Sequence, residues 1–452
     1  MRNNQTLHLD YQTITELEIL RPEGTGQTIF EILNRTTTPG GKDLLKSKFR
    51  NPPNQLREIQ NIQEAVKYII KHRDKWDLGK FKRIMDHVEY YYYSKADPVS
   101  SESKIGIFVE GIVYHIKFRN YQKTINNGTR NAIRFIMLLF EFYSVKQSNN
   151  VPVHLQNIFS ELNEIFNLGH FQKLLKKGFN HSWPLSALFF YDRIFRKLHK
   201  EEMLRLINLT YELDSLVSMA DATTEYRLVF PEFIQAHEAI LEFDFVYHLF
   251  LKKPVKNSTS FGSGQNFLFL TGPNMAGKTT FLKSCAIAVF LAHLGMGVPA
   301  ESMKLTPFNC IFSSLNTTDN LSIGYSYFYS EVVRIKRAAE TLKHYSKSFM
   351  IFDELFKGTN IKDAFDGSIL VINGFVKWKS SIFILSSHLL ELENSIKKYK
   401  NVFFRYFEST VKNGKPEFSF QLHEGLSKER LGMLILKNEK IQFLLEPDDL
   451  KG

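Results

Sequence analysis

The stretch 270-LTGPNMAGKTTF-281 decides the fold class of this chain. Gly272, Pro273, Asn274, Met275, Ala276, Gly277, Lys278 and Thr279 satisfy the spacing G-x-x-x-x-G-K-[ST], and Thr280 follows. Glycines at both ends let the backbone wrap, so that successive N–H groups point at phosphate oxygens. Lys278 is expected to reach the β and γ phosphates, and the Thr279 hydroxyl to ligate Mg²⁺. The apolar run NFLFL precedes the loop, and residues 279–293 read as a helix whose positive N-terminal end favours an anion.

Two further apolar runs carry polar residues at their ends. SFMIFDE ends in Asp353, which can hold magnesium through its water shell, and Glu354, which can orient or deprotonate an attacking water. SIFILSSH ends in His388, which is placed to contact a γ-phosphate or to serve structure alone. Short β-prone runs of this kind read as buried parallel strands, and ligands of open α/β sheets bind at the C-terminal ends of such strands. KNSTSFGSGQ (256–265) reads as a turn or linker ahead of the first of them.

Upstream of about residue 230 the patterns are helical. Leu206, Leu209, Leu213, Leu216 and Ala220 alternate steps of three and four, which puts them on one face of a long packed helix. Residues 55–76 read similarly, NPPN (51–54) punctuates between helices, and AIRFIMLLFEFYSV (132–145) reads as a buried helix. The architecture expected is an all-α domain over residues 1–235, followed by an α/β P-loop NTPase domain over 236–452.

Composition sets outer bounds. The 452 residues carry 43% apolar and 23% charged side chains, as an ordinary globular protein does. The formal charge of +11 favours an anionic partner such as nucleic acid, and residues 251–452 hold 26 Lys+Arg against 18 Asp+Glu. Cys285 and Cys310 alone exclude a disulfide scaffold or a cysteine-based zinc site. No apolar leader opens the chain and no run is long enough to span a bilayer, so the expectation is a cytoplasmic protein without a membrane role.

These elements together resemble the ATPase domain of the MutS family of DNA mismatch-repair clamps. The loop is similar to that family's TGPNMxGKST, in which the Asn-Met pair is distinctive. DNLSIGYSYFYSE (319–331) is similar to its DDLxxGxSTFxxE, with Asp319, Leu321, Gly324, Ser326, Phe328 and Glu331 matching without a gap. FDELFKGTNIKDA resembles LDExGxGT(S/N)xxDG, and SSHLLEL resembles THxxEL. TIFEILNRTTTPGGKDLLKSKFRNP (28–52) is similar to the start of the family's core or lever domain, and LDYQTITELEIL (9–20) to the segment before it.

The resemblance implies Mg²⁺ and ATP as cofactors, Asn274 near the γ-phosphate, and His388 as a switch histidine. It implies that Ser326 reaches across a homodimer to the partner's nucleotide, and that DNA and other mismatch-repair proteins are partners. Where the family places an adenine-stacking aromatic ahead of the loop, this chain has Pro254, which leaves Phe420 as the stacking candidate. The family's mismatch-reading and connector domains are expected to have no counterpart, its DNA-gripping clamp to be reduced or missing, and its C-terminal dimerisation tail to be incomplete. EYYYYSKADP (89–98) reads as packing or a tyrosine-rich surface, with stacking of its four tyrosines on bases as the alternative. The functional expectation is a DNA-dependent ATPase driving a dimeric clamp in mismatch repair or on distorted DNA. The alternatives are a nucleotide-switched assembly protein of the same fold that holds a protein partner, or a P-loop ATPase of another class.

Overall fold

The computed structural model describes residues 5–22, 26–146, 150–179, 182–262, 264–315, 327–412 and 415–426. By contacts the chain divides into two units. One comprises Met1–Ile32, Asn51–Gln60 and Glu225–Gly452, and the other Leu33–Arg50 and Asn61–Thr224. Two N-terminal segments group with the unit that carries the P-loop.

Among the described residues, ten strands lie in that unit: β1 (Glu232–Phe233), β2 (Leu241–Val246), β3 (Asn257–Phe261), β4 (Phe267–Thr271), β5 (Ser302–Leu305), β6 (Cys310–Ser314), β7 (Ser348–Asp353), β8 (Ile382–Ser386), β9 (Val402–Lys412) and β10 (Lys415–Glu424). Six form a sheet in the order β10-β9-β4-β8-β7-β6, and the other four a sheet in the order β1-β5-β2-β3. In the larger sheet β9, β4, β8, β7 and β6 run parallel, and β10 folds back antiparallel on β9. Every residue of β4, β7 and β8 is buried, as parallel strands covered on both faces require. The runs FLFLT, SFMIFD and IFILS supply that burial.

One expectation is corrected here. Asn257–Phe261, read as linker, is β3, paired antiparallel with β2. Its inward positions are Asn257, Thr259 and Phe261, so polar side chains at two of the three buried sites hide the period-two signal of a half-buried strand.

The segment 7–16 binds the β6 edge of the large sheet. The His8 N–H donates to the Asn309 carbonyl and the Ile311 N–H to the His8 carbonyl. The helix Tyr11–Glu16 then turns its buried Glu16 carboxylate to the Ser313 hydroxyl and the Leu315 N–H. Arg334, itself buried, ion-pairs with Asp10 and donates to the Ser313 carbonyl.

The second unit is helical. Within it Trp76 stacks on Phe159 and meets Phe142 edge-on, and the helix Arg119–Ser144 carries the buried side of the run 132–145. Leu206, Leu209, Leu213, Leu216 and Ala220 are all buried along Lys200–Glu225, as their spacing predicts. The turn TTTPGG has a local cause. Buried Asp214 accepts from the backbone N–H and hydroxyl of both Thr37 and Thr38, and Thr38 caps the helix Pro39–Arg50 through the Gly41 N–H. A Cβ on Gly40 would lie 2.2 Å from the Tyr211 ring, and one on Gly41 2.2 Å from Asp214. The helix start therefore packs too closely for side chains there. Of the four tyrosines, Tyr91 is buried in hydrogen bonds to Asp192 and Thr129, whereas Tyr90 and Tyr93 are exposed.

Candidate nucleotide site

β4 ends in the loop, β8 is its parallel neighbour, and β7 lies beyond β8. Register places Leu270 opposite Ser386 and Ser386 opposite Asp353. Three strand ends thus bring their polar residues into one row, and the site follows from that row.

The loop's conformation rests on its glycines. Gly272 has φ 144°, and a Cβ there would lie 3.2 Å from the Phe407 carbonyl oxygen. Gly277 has φ 98° and heads the helix Lys278–His293, with the Phe420 ring 3.3 Å from where its Cβ would be. Met275 takes φ 68° with its side chain 80% exposed, a conformation that costs a non-glycine residue on the order of 1 kcal/mol. Ala276 is buried beneath the loop.

Lys278 is buried and its Nζ donates to the Gly272 carbonyl at 2.8 Å and the Pro273 carbonyl at 3.1 Å. Burial lowers its pKa, against the opposing charges of Glu354 and Asp353. The Thr279 hydroxyl donates to Asp353, and so does the Ser386 hydroxyl. A threonine hydroxyl beside a carboxylate is the hard-oxygen pair that fits Mg²⁺, which takes one or two protein ligands and fills its octahedron with water and phosphate. Among the described residues there is no cluster of three or more His, Cys, Asp or Glu able to hold a metal by itself.

His388 Nε2 lies 2.7 Å from Glu354 Oε1 and 2.6 Å from Asn274 Oδ1, with Lys278 Nζ 3.1 Å away. The Glu354 carboxyl is pushed up by burial, but its contact with His388 and the nearby Lys357 and Lys278 charges outweigh that and leave it below its ordinary value. It is therefore an anion at neutral pH. Its backbone, at φ 60°, is held by an N–H to the Ser386 carbonyl.

A cavity of about 570 Å³ opens over the loop, within the usual range for a small-ligand site. Asn274, Met275, Lys278, Thr279, Thr280, Asp353, Glu354 and Lys357 line one part, and Val246, His248, Leu251, Val255, Phe407 and Phe420 another. The structure thus brings together the loop from Gly272 to Thr280, Asp353, Glu354, His388 and Phe420. Ser326 lies outside the described residues. Phe420 reaches the cavity because the β9–β10 register shifts between Phe418 and Leu422, and Phe420 takes φ 56° in that bulge. Asn257 secures the bulge, donating to the Phe420 carbonyl at 3.0 Å and accepting from the Leu422 N–H at 2.8 Å. Sequence reasoning missed Asn257, His248, Leu251 and Val255, which come from β3 and the link between β2 and β3. It also left Glu331 without a role: this buried carboxylate accepts the N–H groups of Lys357 and Gly358, tying the helix Tyr327–His344 to the turn after β7.

A parallel sheet with a G-x-x-x-x-G-K-T loop between strand and helix defines a P-loop NTPase fold. The family model described as MutS domain V matches residues 268–442, and that described as MutS domain III matches residues 12–90. The chain is 31% identical over 251 residues to the human protein named MutS protein homolog 4, covering 53% of this chain and 26% of that protein. It is also 31% identical over 235 residues to the DNA mismatch repair protein MutS of Anaplasma phagocytophilum (strain HZ), covering 49% of this chain and 27% of that protein. The chain belongs to the MutS family, and it spans about a quarter of the length of these curated relatives. The matched domain V is the family's ATPase domain. No described helix is long and apolar enough to cross a membrane.

Proposed function

We propose that this chain is a Mg²⁺-dependent ATPase that works as a homodimer and couples hydrolysis to a clamp on DNA. The observation that carries the reading is the convergence of Lys278, Thr279, Asp353 and Glu354 around one cavity at adjacent parallel strand ends, with His388 of the third strand end in contact with Glu354 and Lys278. Lys278 and the loop N–H groups would hold the triphosphate, and Thr279 with Asp353 would hold a magnesium ion. Mg²⁺ would supply neutralisation of phosphate charge when bound. Glu354, an anion beside the loop, orients and deprotonates the attacking water, and His388 bridges it to Asn274, so that a γ-phosphate at Asn274 is felt at the base. Ser326 of each chain completes the partner's site, which makes association depend on nucleotide state. In this reading residues 1–235 are the core or lever domain, residues 236–452 the ATPase domain, and the DNA preference is for distorted or branched duplex.

The second reading, a nucleotide-switched assembly protein with a protein partner, is favoured by one surface. On the helix Lys104–Lys117, Ile105, Phe108, Val109, Ile112, Val113 and Ile116 are all exposed at helical spacing. Six apolar side chains in one stripe mark contact with another macromolecule more than with a polyanion.

The test is the ATPase rate without DNA and with perfect, mismatched and branched duplex at two salt concentrations, with Lys278→Ala as the nucleotide-free control. The DNA reading expects stimulation by distorted duplex and binding that weakens tenfold or more when salt is raised about fourfold. ATP turnover without stimulation or salt-dependent DNA binding selects the protein-partner reading.

A further inference from the structure

We infer that His248 reads the nucleoside half of the bound nucleotide, its Nε2–H donating to an acceptor atom of the base or ribose. The inference rests on the triphosphate reading of the cavity and adds to it a residue that no loop or strand-end motif contains. His248 follows β2 by two residues and is 94% buried, yet it lines the cavity. Its Nδ1 accepts the Phe250 N–H at 3.3 Å, and the Phe250 ring meets it edge-on at 5.1 Å. In the neutral ring this leaves Nε2 as the protonated nitrogen, and Nε2 has no hydrogen-bond partner among the described residues.

The other polar groups of this wall are spent. The Ser284 hydroxyl donates to the Thr280 carbonyl at 2.7 Å, and both ends of the Asn257 amide hold the Phe420 bulge. Around them Val246, Leu251, Val255, Phe407 and Phe420 are apolar, and Lys253 is exposed at the rim. Burial, helped by the Lys283 charge, pushes the imidazole down to about 4, so at neutral pH it is an uncharged donor. On an apolar wall this N–H offers a ligand acceptor a hydrogen bond that the neighbouring side chains do not. Such a site rejects a ligand lacking that acceptor far better than an apolar pocket rejects an extra group. The acceptors a nucleoside offers are purine ring nitrogens and ribose oxygens.

The experiment measures affinities of the full chain and of His248→Phe for ATP and for inorganic tripolyphosphate. ATP binding is expected to weaken about tenfold in His248→Phe, with tripolyphosphate unchanged. Unchanged ATP affinity, or equal losses for both ligands, would overturn the inference. Lys278→Ala separates the two readings, since loss of the triphosphate site abolishes binding of both ligands there. In the unmodified protein, 2′-deoxy-, 3-deaza- and 7-deaza-ATP locate the acceptor: the matching analogue loses affinity there and loses none further in His248→Phe. Equal losses in both proteins for every analogue would count against the hydrogen bond. If His248→Phe does not fold, ¹⁵N NMR of the unmodified histidines decides. The Nε2–H resonance of His248 is expected to shift on adding ATP and to stay with tripolyphosphate, and no shift with ATP refutes the assignment.

Discussion

His293 closes the helix Lys278–His293 with both ring nitrogens committed: Nδ1 lies 2.9 Å from the Pro53 carbonyl, and Nε2 accepts the Phe308 N–H at 3.1 Å. Pro53 is part of the NPPN turn, so this one imidazole fixes a segment more than two hundred residues away in sequence. Complete burial pushes it down to about 4, against the upward pull of the Pro53 contact. In the unfolded chain its value is about 6.5. Between those values the unfolded state binds a proton that the folded state refuses. The contribution to stability is therefore complete above about 6.5 and is lost as pH falls toward 4, with a slope of up to about 1.4 kcal/mol per pH unit. His248 acts with the same sign. Denaturant titrations between pH 7 and 4.5 are expected to show His293→Gln less stable at pH 7 by about 1–3 kcal/mol and flatter with pH by one proton. Parallel curves would refute this. Residues at this scale were legible where chemistry dictates spacing, as in Lys278, Thr279 and the Asp353–Glu354 pair. His248 and Asn257 were not, because each acts through partners that only the folded sheet supplies.

At the scale of elements, the bulge in β10 is the part of the site built by no recognisable motif. Asn257 on β3 clamps the backbone on both sides of Phe420, and Phe420 in turn rests on Gly277. Asn257→Ala leaves the Phe420 carbonyl and the Leu422 N–H unpaired and frees the aromatic wall. The expected outcome is a three- to tenfold loss of ATP affinity with tripolyphosphate affinity unchanged, measured by calorimetry, for a stability cost of about 1–2 kcal/mol. Equal affinities would show that Phe420 is held by something else. The strands β4, β7 and β8 could be read from sequence because buried parallel strands are continuous apolar runs. β3 could not, since Asn257, which is held by β10, and Thr259 occupy its buried face. The helix Tyr11–Glu16 shows the same limit. Its attachment to β6 depends on Arg334 and Ser313, some three hundred residues downstream.

At the scale of the whole molecule, the proposal is that two chains share two nucleotides. Glu331 gives that idea a physical link within one chain, because it joins the helix after the Ser326 segment to the turn that follows Glu354. A contact made by Ser326 on a partner's γ-phosphate would therefore be felt at Glu354 of the same chain, the base of that chain's own site. The family and its ATPase fold were legible in the sequence because the loop and strand-end motifs are local. How two chains meet is not written in local patterns. Glu354→Gln removes the base and keeps the loop, so it should bind Mg-ATP while hydrolysis falls by a factor of about 10²–10⁴. Light scattering of Glu354→Gln with Mg-ATP tests the shared site most directly. A particle of twice the monomer mass that returns to one chain when nucleotide is removed is expected, and a monomer with ATP bound at micromolar protein contradicts the shared site.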